Sequence, residues 1–393
     1  MGSMSPTSPR RRTQHEDGAG NGTTWTLPLN SGHPAAHGAL RLELELDGAT
    51  VTSATCLPGR VHRGAEKLFE SRDYRSVLAL ANRHDWLSAF GSELGLAQLL
   101  ERMLGIEVPE RAQVLRVLVA ELSRAAHHLL WLAATARELG EEAAATAGFA
   151  ARETVLDTLE GYSGARMHLM VMRVGGLRAD ASPEWLASLP AVLSELDSAV
   201  TVLTDAFEAL AYRTRGVAVL TDAQAADFAA SGPVARASGQ QLDLRFDRIA
   251  GADDADEVYQ RLIDGGVLHR ATASAGDAEA RFEILLDQAR SSRAVVAATA
   301  DWLAGLPPGP VDVPLPKVLR VPEGHAYGAT ENPTGINGWY LVSRGGPMPY
   351  RLKLRTASFN NAQSLSVALP GTALDDLPVA LFSYLLVAGD IDK

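Results

Sequence analysis

GHPAAHGALRLELELDG, residues 32–48, joins a turn to a strand. Leu40, Leu42, Leu44 and Leu46 alternate with Arg41, Glu43, Glu45 and Asp47, a period of two that predicts a half-buried strand. His33 and His37 stand in the Gly- and Pro-bounded turn before it, so two imidazoles are offered from a loop anchored on a rigid element. Asp47-Gly48 predicts a tight turn pairing 39–46 with Val51–Leu57, and Trp25–Leu29 adds a short first strand. The expected N-terminal β region is therefore 25–60, preceded by a Ser-, Gly- and Arg-rich tail, 1–24, read as disordered.

Outward from that sheet the period changes to that of helices. Glu66–Tyr74 is short and charged. Leu87–Leu104 carries Leu94, Leu96, Leu99, Leu100, Met103 and Leu104 and stops at Gly105. Pro109 opens a helix to about Leu139, and Gly140 ends it. Segments 144–160 and 164–173 continue the helical character, and Pro183–Ala211 reads as a pair of helical segments. An irregular Gly-, Ala- and Asp-rich insert, 213–275, precedes a strong helix over Arg281–Leu306. Residues 61–306 thus predict a helical bundle. Beyond the Pro-rich break at 307–316, strands are expected at Lys317–Val321, Trp339–Ser343 and Arg351–Arg355, and a helix at Asp375–Val387. The fold class is α+β: an N-terminal antiparallel sheet, a central bundle and a β-containing C-terminal region, 307–393.

Composition narrows the function. The chain has 393 residues, 46% hydrophobic and 21% charged, with formal net charge −11. That balance argues against nucleic acid as a partner, since the one dense basic run is Arg10–Arg12 in the tail. Cys56 is the only cysteine, which excludes an internal disulfide and an iron–sulfur cluster held by this chain's own thiolates. No apolar run is long enough to span a bilayer and no signal-peptide core opens the chain, so the expectation is a cytoplasmic protein whose membrane link runs through partners.

No GxGxxG follows a strand, and no GxxxxGK[ST] or GxSxG occurs, so nucleotide binding and a nucleophile elbow find no support. His33 and His37 are four apart, but Pro34 follows His33 and no Glu lies between, so the helical HExxH zinc pattern is not met. Arg116, Glu121, Arg124, His127 and His128 fall in one apolar helix, and Arg152, Glu153, Asp157, Glu160, Arg166, His168 and Arg173 follow. The plain expectation for most is solvated helix faces with ion pairs at neighbouring turns. His168, flanked by Met167, Leu169 and Met170, reads either as a core residue or as a titrating group beside a redox centre.

Taken together these stretches resemble the 49 kDa subunit family of respiratory complex I, the large quinone-site subunit of the proton-pumping NADH-quinone oxidoreductase. The resemblance rests on HPAAHG (His33–Gly38), RLELELDG (Arg41–Gly48), HRGAEKL (His62–Leu68), LGIEVPERAQVLRVLVAELSR (Leu104–Arg124), GARMH (Gly164–His168) and RVGGL (Arg173–Leu177). It continues through TRGV (Thr214–Val217), GDAEARF (Gly276–Phe282), GGPMPYRLKLR (Gly345–Arg355), SFNNAQSL (Ser358–Leu365) and GDIDK (Gly389–Lys393). That family is related in fold to the large subunit of nickel–iron hydrogenases. The hydrogenase metal-binding cysteines have no counterpart in GRVHRG (Gly59–Gly64) or FSYLLVAGD (Phe382–Asp390), so a hydrogenase centre is excluded.

The resemblance implies a chain that binds no cofactor alone and works only in the assembled complex, peripheral on the cytoplasmic side of the cell membrane. NADH, FMN and iron–sulfur clusters belong to partner subunits. The terminal 4Fe-4S cluster sits in a small iron–sulfur subunit at the interface, and the other peripheral-arm and membrane subunits complete the set of partners. Quinone is the substrate, and its reduction is coupled to proton translocation. His37 matches the family histidine that hydrogen-bonds one quinone carbonyl and donates a proton, Glu138 its carboxylate partner, and Arg63 and His168 face the terminal cluster. Trp86 in RHDWL stands where the family has the tyrosine that binds the other carbonyl. An indole N–H can donate a hydrogen bond but does not deliver a proton as a phenol does. Asn30-Ser31-Gly32 replaces the family's Gly-Pro-Gln, Leu169 replaces a second histidine, and the usual Asp-Pro is replaced around Ser383-Tyr384. A divergent paralogue is implied. The alternative is a scaffold in a reduced complex I–like or hydrogenase-like assembly that performs no quinone chemistry.

Overall fold

The structure, a computed structural model, describes residues 23–28, 39–248 and 257–393. The His33–His37 turn and most of the tail expected to be disordered lie outside the described residues. Strands β1 (Thr23–Pro28), β2 (Arg41–Asp47) and β3 (Thr50–Leu57) form an antiparallel sheet in that order. The leucines of β2 point into the core and its charged residues outward, as the alternation predicts. Gly48, at φ 60°, closes the β2–β3 turn in the left-handed region.

Five helices follow: α1 (Ala65–Phe69), α2 (Tyr74–Ala81), α3 (Ala89–Leu104), α4 (Glu110–Glu138) and α5 (Glu142–Ser163). Asp73 caps α2, its carboxylate accepting from Arg75 N and Ser76 N. The helix expected over 164–173 does not form. Gly164 ends α5 in the left-handed conformation, and the chain turns into a two-stranded hairpin, β4 (Met172–Arg173) and β5 (Gly176–Leu177).

Next come α6 (Pro183–Ala209), α7 (Ala211–Thr214), α8 (Asp222–Asp227), α9 (Gly232–Ala237), α10 (Glu257–Asp264) and α11 (Ala278–Gly305). Helix α6 runs through Pro190 unbroken and is apolar enough by length and composition to cross a membrane. Its outward face, however, bears Glu184, Glu195, Asp197, Asp205 and Glu208, while Leu189, Leu193, Leu196, Val200 and Leu203 are buried. It packs on α5 and α11 as a bundle helix.

The C-terminal sheet comprises β6 (Gly324–Asn332), β7 (Gly335–Ser343) and β8 (Arg351–Arg355). The strand expected at 317–321 does not form, since the chain bends at Lys317-Val318; the ladder starts at Gly324 instead, where β6 pairs with β7 along its whole length. Three further helices close the chain: α12 (Ala357–Ala368), α13 (Leu377–Ser383) and α14 (Ala388–Ile391). The expected helix over 375–387 is thus shorter: Leu374–Asp376 forms a 3-10 turn, α13 ends at Ser383, and Leu385 just beyond it has φ 56°. The N- and C-terminal regions meet: Val51 N donates to Thr372 O (2.9 Å) and Gly371 N to Val51 O (2.7 Å).

Candidate functional site

Trp86 sits in the turn between α2 and α3, and its neighbours hold that turn rigid. Asp85 is buried and accepts from Ser88 N at 3.2 Å. His84 is buried edge-on to Trp339, with ring centroids 5.9 Å apart, and faces Asn337 Nδ2 at 3.1 Å. Burial and the nearby Lys393 push the His84 pKa down to about 3, so it is a neutral wedge. Burial and the neighbouring Asp390 carboxylate raise the Asp85 pKa, and burial raises that of Asp390. From the other side Gly389 lies directly against the indole.

A shallow, half-open cleft runs from Trp86 between α3, α4 and α5, with a cavity volume of about 30 Å³, room for about one water. Phe90, Ala126, Leu130, Leu156 and Leu159 give it apolar walls, and Met167 and Leu169 close one side. The loop bearing those two residues is pinned by Arg166, which binds Glu153, Asp157 and Glu160 on α5.

His168 lies between Met167 and Leu169, so its loop connects the cleft to a cationic edge. Arg63 donates from Nη2 to Arg83 O at 3.1 Å. Burial, and then the Arg83 charge, lower the His168 pKa. Three segments distant in sequence therefore place Arg63, Arg83 and His168 together. Arg83 is the addition: it stands in the RHDWL stretch, but only the fold shows that its carbonyl and its charge link the other two. Behind this edge Asn82 Nδ2 donates to buried Glu93 and to Met170 Sδ. Burial pushes the Glu93 carboxyl up to about 7.

Glu138 is the last residue of α4 and is exposed. It continues the stripe Leu130, Ala134, Glu138, each four residues apart, which places it roughly 12 Å along the axis from the cleft wall. It does not line the cleft with Trp86. His37 lies outside the described residues; the strands on either side of its turn pair at Pro28↔Arg41. At that same sheet end Arg41 pairs with Leu57, which leads into the loop bearing Arg63.

The charges expected on solvated faces divide in two. Arg152, Glu153, Asp157, Glu160 and Arg166 do form ion pairs near the surface. Arg116, Glu121, Arg124, His127 and His128 are instead buried. Trp131 Nε1 donates to His127 Nε2 (3.2 Å), leaving that ring's proton on Nδ1, which faces His128 Nδ1 (3.3 Å); His128 Nε2 then donates to Gln288 (2.8 Å). Burial and Arg124 push His127 down to about 3, consistent with a neutral chain.

Cys56 is packed, its thiol pushed up to about 12 by burial and by Asp392, which makes it inert. Among the described residues no group of three His, Cys, Asp or Glu side chains is placed to hold a metal.

Known proteins share this chain's sequence at length. Residues 138–319 and 314–393 match the family described as respiratory-chain NADH dehydrogenase, 49 Kd subunit. The chain is 47% identical over 393 residues to the D 1 subunit of the NADH-quinone oxidoreductase of Streptomyces coelicolor, covering 99% of this chain and 100% of that one. It is 48% identical over 375 residues to the D 2 subunit of the Salinispora tropica enzyme, covering 95% and 94%. Against the D subunits the similarity extends to Carboxydothermus hydrogenoformans, at 36% identity over 376 residues, covering 94% and 99%. The chain belongs to the family of the 49 Kd subunit of respiratory-chain NADH dehydrogenase, the D subunits of NADH-quinone oxidoreductases.

Proposed function

We propose that the Trp86 cleft is the head-group end of a quinone site in a membrane-associated NADH-quinone oxidoreductase. The chain then holds a small iron–sulfur subunit against the Arg63–Arg83–His168 edge and couples electron transfer to proton translocation. The observation that carries this reading is the junction itself. An apolar cleft with a flat aromatic wall opens beside a cationic edge, and one loop, Met167–Leu169, belongs to both. The apolar lining of the first suits the edge of a planar, lipid-soluble ring, and the charge of the second suits a negatively charged terminal 4Fe-4S cluster of a partner. NADH oxidation, FMN and the iron–sulfur clusters reside in partner subunits, and this chain lies peripherally on the cytoplasmic side of the membrane. His37 donates one proton to the quinone, and Glu138, further along the α4 stripe, restores its charge balance.

Trp86 favours a second reading, a scaffold whose quinone chemistry is lost, because the indole cannot supply the phenol's proton. Quinone reductase activity of the assembled complex decides between them. On the leading reading His37→Ala lowers turnover about a hundredfold, while Trp86→Tyr leaves it within a few fold. Unchanged turnover in His37→Ala sinks the proton-donor role, and a large rise in Trp86→Tyr favours the scaffold reading.

A further inference from the structure

We propose that the loop 164–171 is a lid over the cleft and that Arg166 is its latch; what the lid admits rests on the quinone reading above. The cleft as it stands has room for about one water, so a ring enters only if a wall moves. Three walls are the helices α3, α4 and α5, each held by its own hydrogen-bond ladder. The fourth is this loop, through Met167 and Leu169. Among the described residues, no backbone–backbone hydrogen bond involves residues 166–170. The loop begins at Gly164, with φ 82°, and ends near Met170, a non-glycine residue with φ 54°. Both ends thus lie in the left-handed region, which a residue with a side chain adopts at a cost. A change of φ and ψ at those two places swings the segment between them.

On its inner side the loop rests on Leu169, which is buried, and on Asn82, whose Nδ2 meets Met170 Sδ at 2.9 Å. On its outer side Arg166 reaches back to α5. There Glu153, Asp157 and Glu160 stand on one helix face and bind its guanidinium, Glu160 at 3.3 Å. The three carboxylate side chains are 48% to 69% exposed, so water and salt compete for every pair. Each pair is weak, but all three converge on one side chain. Together they close the lid, and release of that one guanidinium frees it. His168 lies between the two residues that line the cleft. An opening lid therefore carries His168 with it, which links entry of the ring to the surroundings of the partner's cluster.

The test labels a thiol behind the lid with N-ethylmaleimide in the assembled complex and reads the modified peptide by mass spectrometry. Leu169→Cys reports from the lid, and Ala126→Cys from the α4 wall beneath it. Cys56, packed and inert, adds no background within this chain. Adding Arg166→Gln is expected to speed labelling at either position about tenfold. The triple variant Glu153→Gln, Asp157→Asn, Glu160→Gln should do the same from the α5 side. With Arg166 in place, labelling should quicken between about 0.01 and 0.5 M salt, and with Arg166→Gln it should not respond to salt. Rates within about twofold of the parent in both latch variants, with no salt response, overturn the latch. On the quinone reading the open fraction limits binding, so KM for a short-chain benzoquinone should fall in Arg166→Gln by the factor by which labelling rises. Faster labelling with an unchanged KM keeps the lid and removes quinone from the cleft. Should the latch variants not assemble, the salt response of the parent decides: its presence supports the latch, and its absence overturns it.

Discussion

A methyl group on Gly389 would overlap Trp86 Cζ3 and lie 2.6 Å from the His84 carbonyl oxygen. Neither obstacle is a flexible side-chain tip, so Gly389→Ala must displace the indole or the turn beneath it. The expected result is a loss of about 1–3 kcal/mol in stability and a raised quinone KM in the assembled complex, read by urea unfolding and by turnover. A wild-type KM would show that the position of Trp86 does not matter to the site. Glu93 makes a pH-dependent prediction. Its folded pKa, about 7, lies above the ordinary 4.5, so the folded state binds the proton more tightly than the unfolded chain. Its stabilising effect is complete below pH ~4.5 and is lost as pH rises through ~7. Glu93→Gln, which keeps an acceptor for Asn82, should match the wild type at pH 4 and exceed it increasingly up to pH 7, by at most ~3 kcal/mol. Parallel urea midpoints across that range would exclude a buried protonated Glu93.

Helix α4 shows where sequence periodicity informs and where it stops. Its start at Pro109, its end near Gly140 and its leucine stripe were legible because capping residues and 3.6-residue spacing act locally. The fate of its charges was not. Whether Glu121 and Arg124 meet water depends on α11, the 243–245 loop and β6, all more than a hundred residues away. Glu121, Asp243 and Glu331 interlock with Arg124, Arg236 and Arg245, three carboxylates with three guanidiniums, all buried. Tyr259 and Ser292 add hydrogen bonds to Glu121 at 2.7 and 2.5 Å. Burial would raise the Glu121 pKa, but Arg124 and Arg245 outweigh it and hold the carboxyl below its ordinary value. Removing one member strands the others, so Arg245→Met should cost about 3–5 kcal/mol, seen as a lower urea midpoint; a change below ~1 kcal/mol would mean that water enters the network. Residues 164–173 failed for a related reason. Their composition is helical, but Gly164 and the pinning of Arg166 to α5 turn the chain into a loop. That loop joins the cleft to the cationic edge.

At the scale of the whole molecule, the cationic edge depends on joining two stretches at opposite ends of the sequence. The Asp392 carboxylate accepts from Gly59 N at 2.6 Å and Val61 N at 2.8 Å, while His62 Nδ1 meets the Asp392 carbonyl at 3.0 Å. The loop so held presents Arg63 to Arg83 O. No periodicity could disclose this clamp, because the donors are backbone amides and the contact spans 331 residues of sequence. The resemblance named GRVHRG and FSYLLVAGD only as stretches without the hydrogenase cysteines, and predicted no contact between the loop and Asp392. Asp392→Ala removes the acceptor of two part-buried N–H groups, one of them on exposed Gly59, a cost of about 1–2 kcal/mol concentrated in the loop. Because β3 is independently tied to Thr372, the sheet should survive. Hydrogen exchange on the assembled complex should therefore quicken at residues 59–64 while α4 and α11 keep their protection. On the proposed placement of the partner's cluster, the loosened Arg63 should also shift that cluster's reduction potential downward, since a cation near it is no longer fixed. Faster exchange without any change in potential would separate the clamp, which the geometry supports on its own, from the cluster-facing role assigned to Arg63.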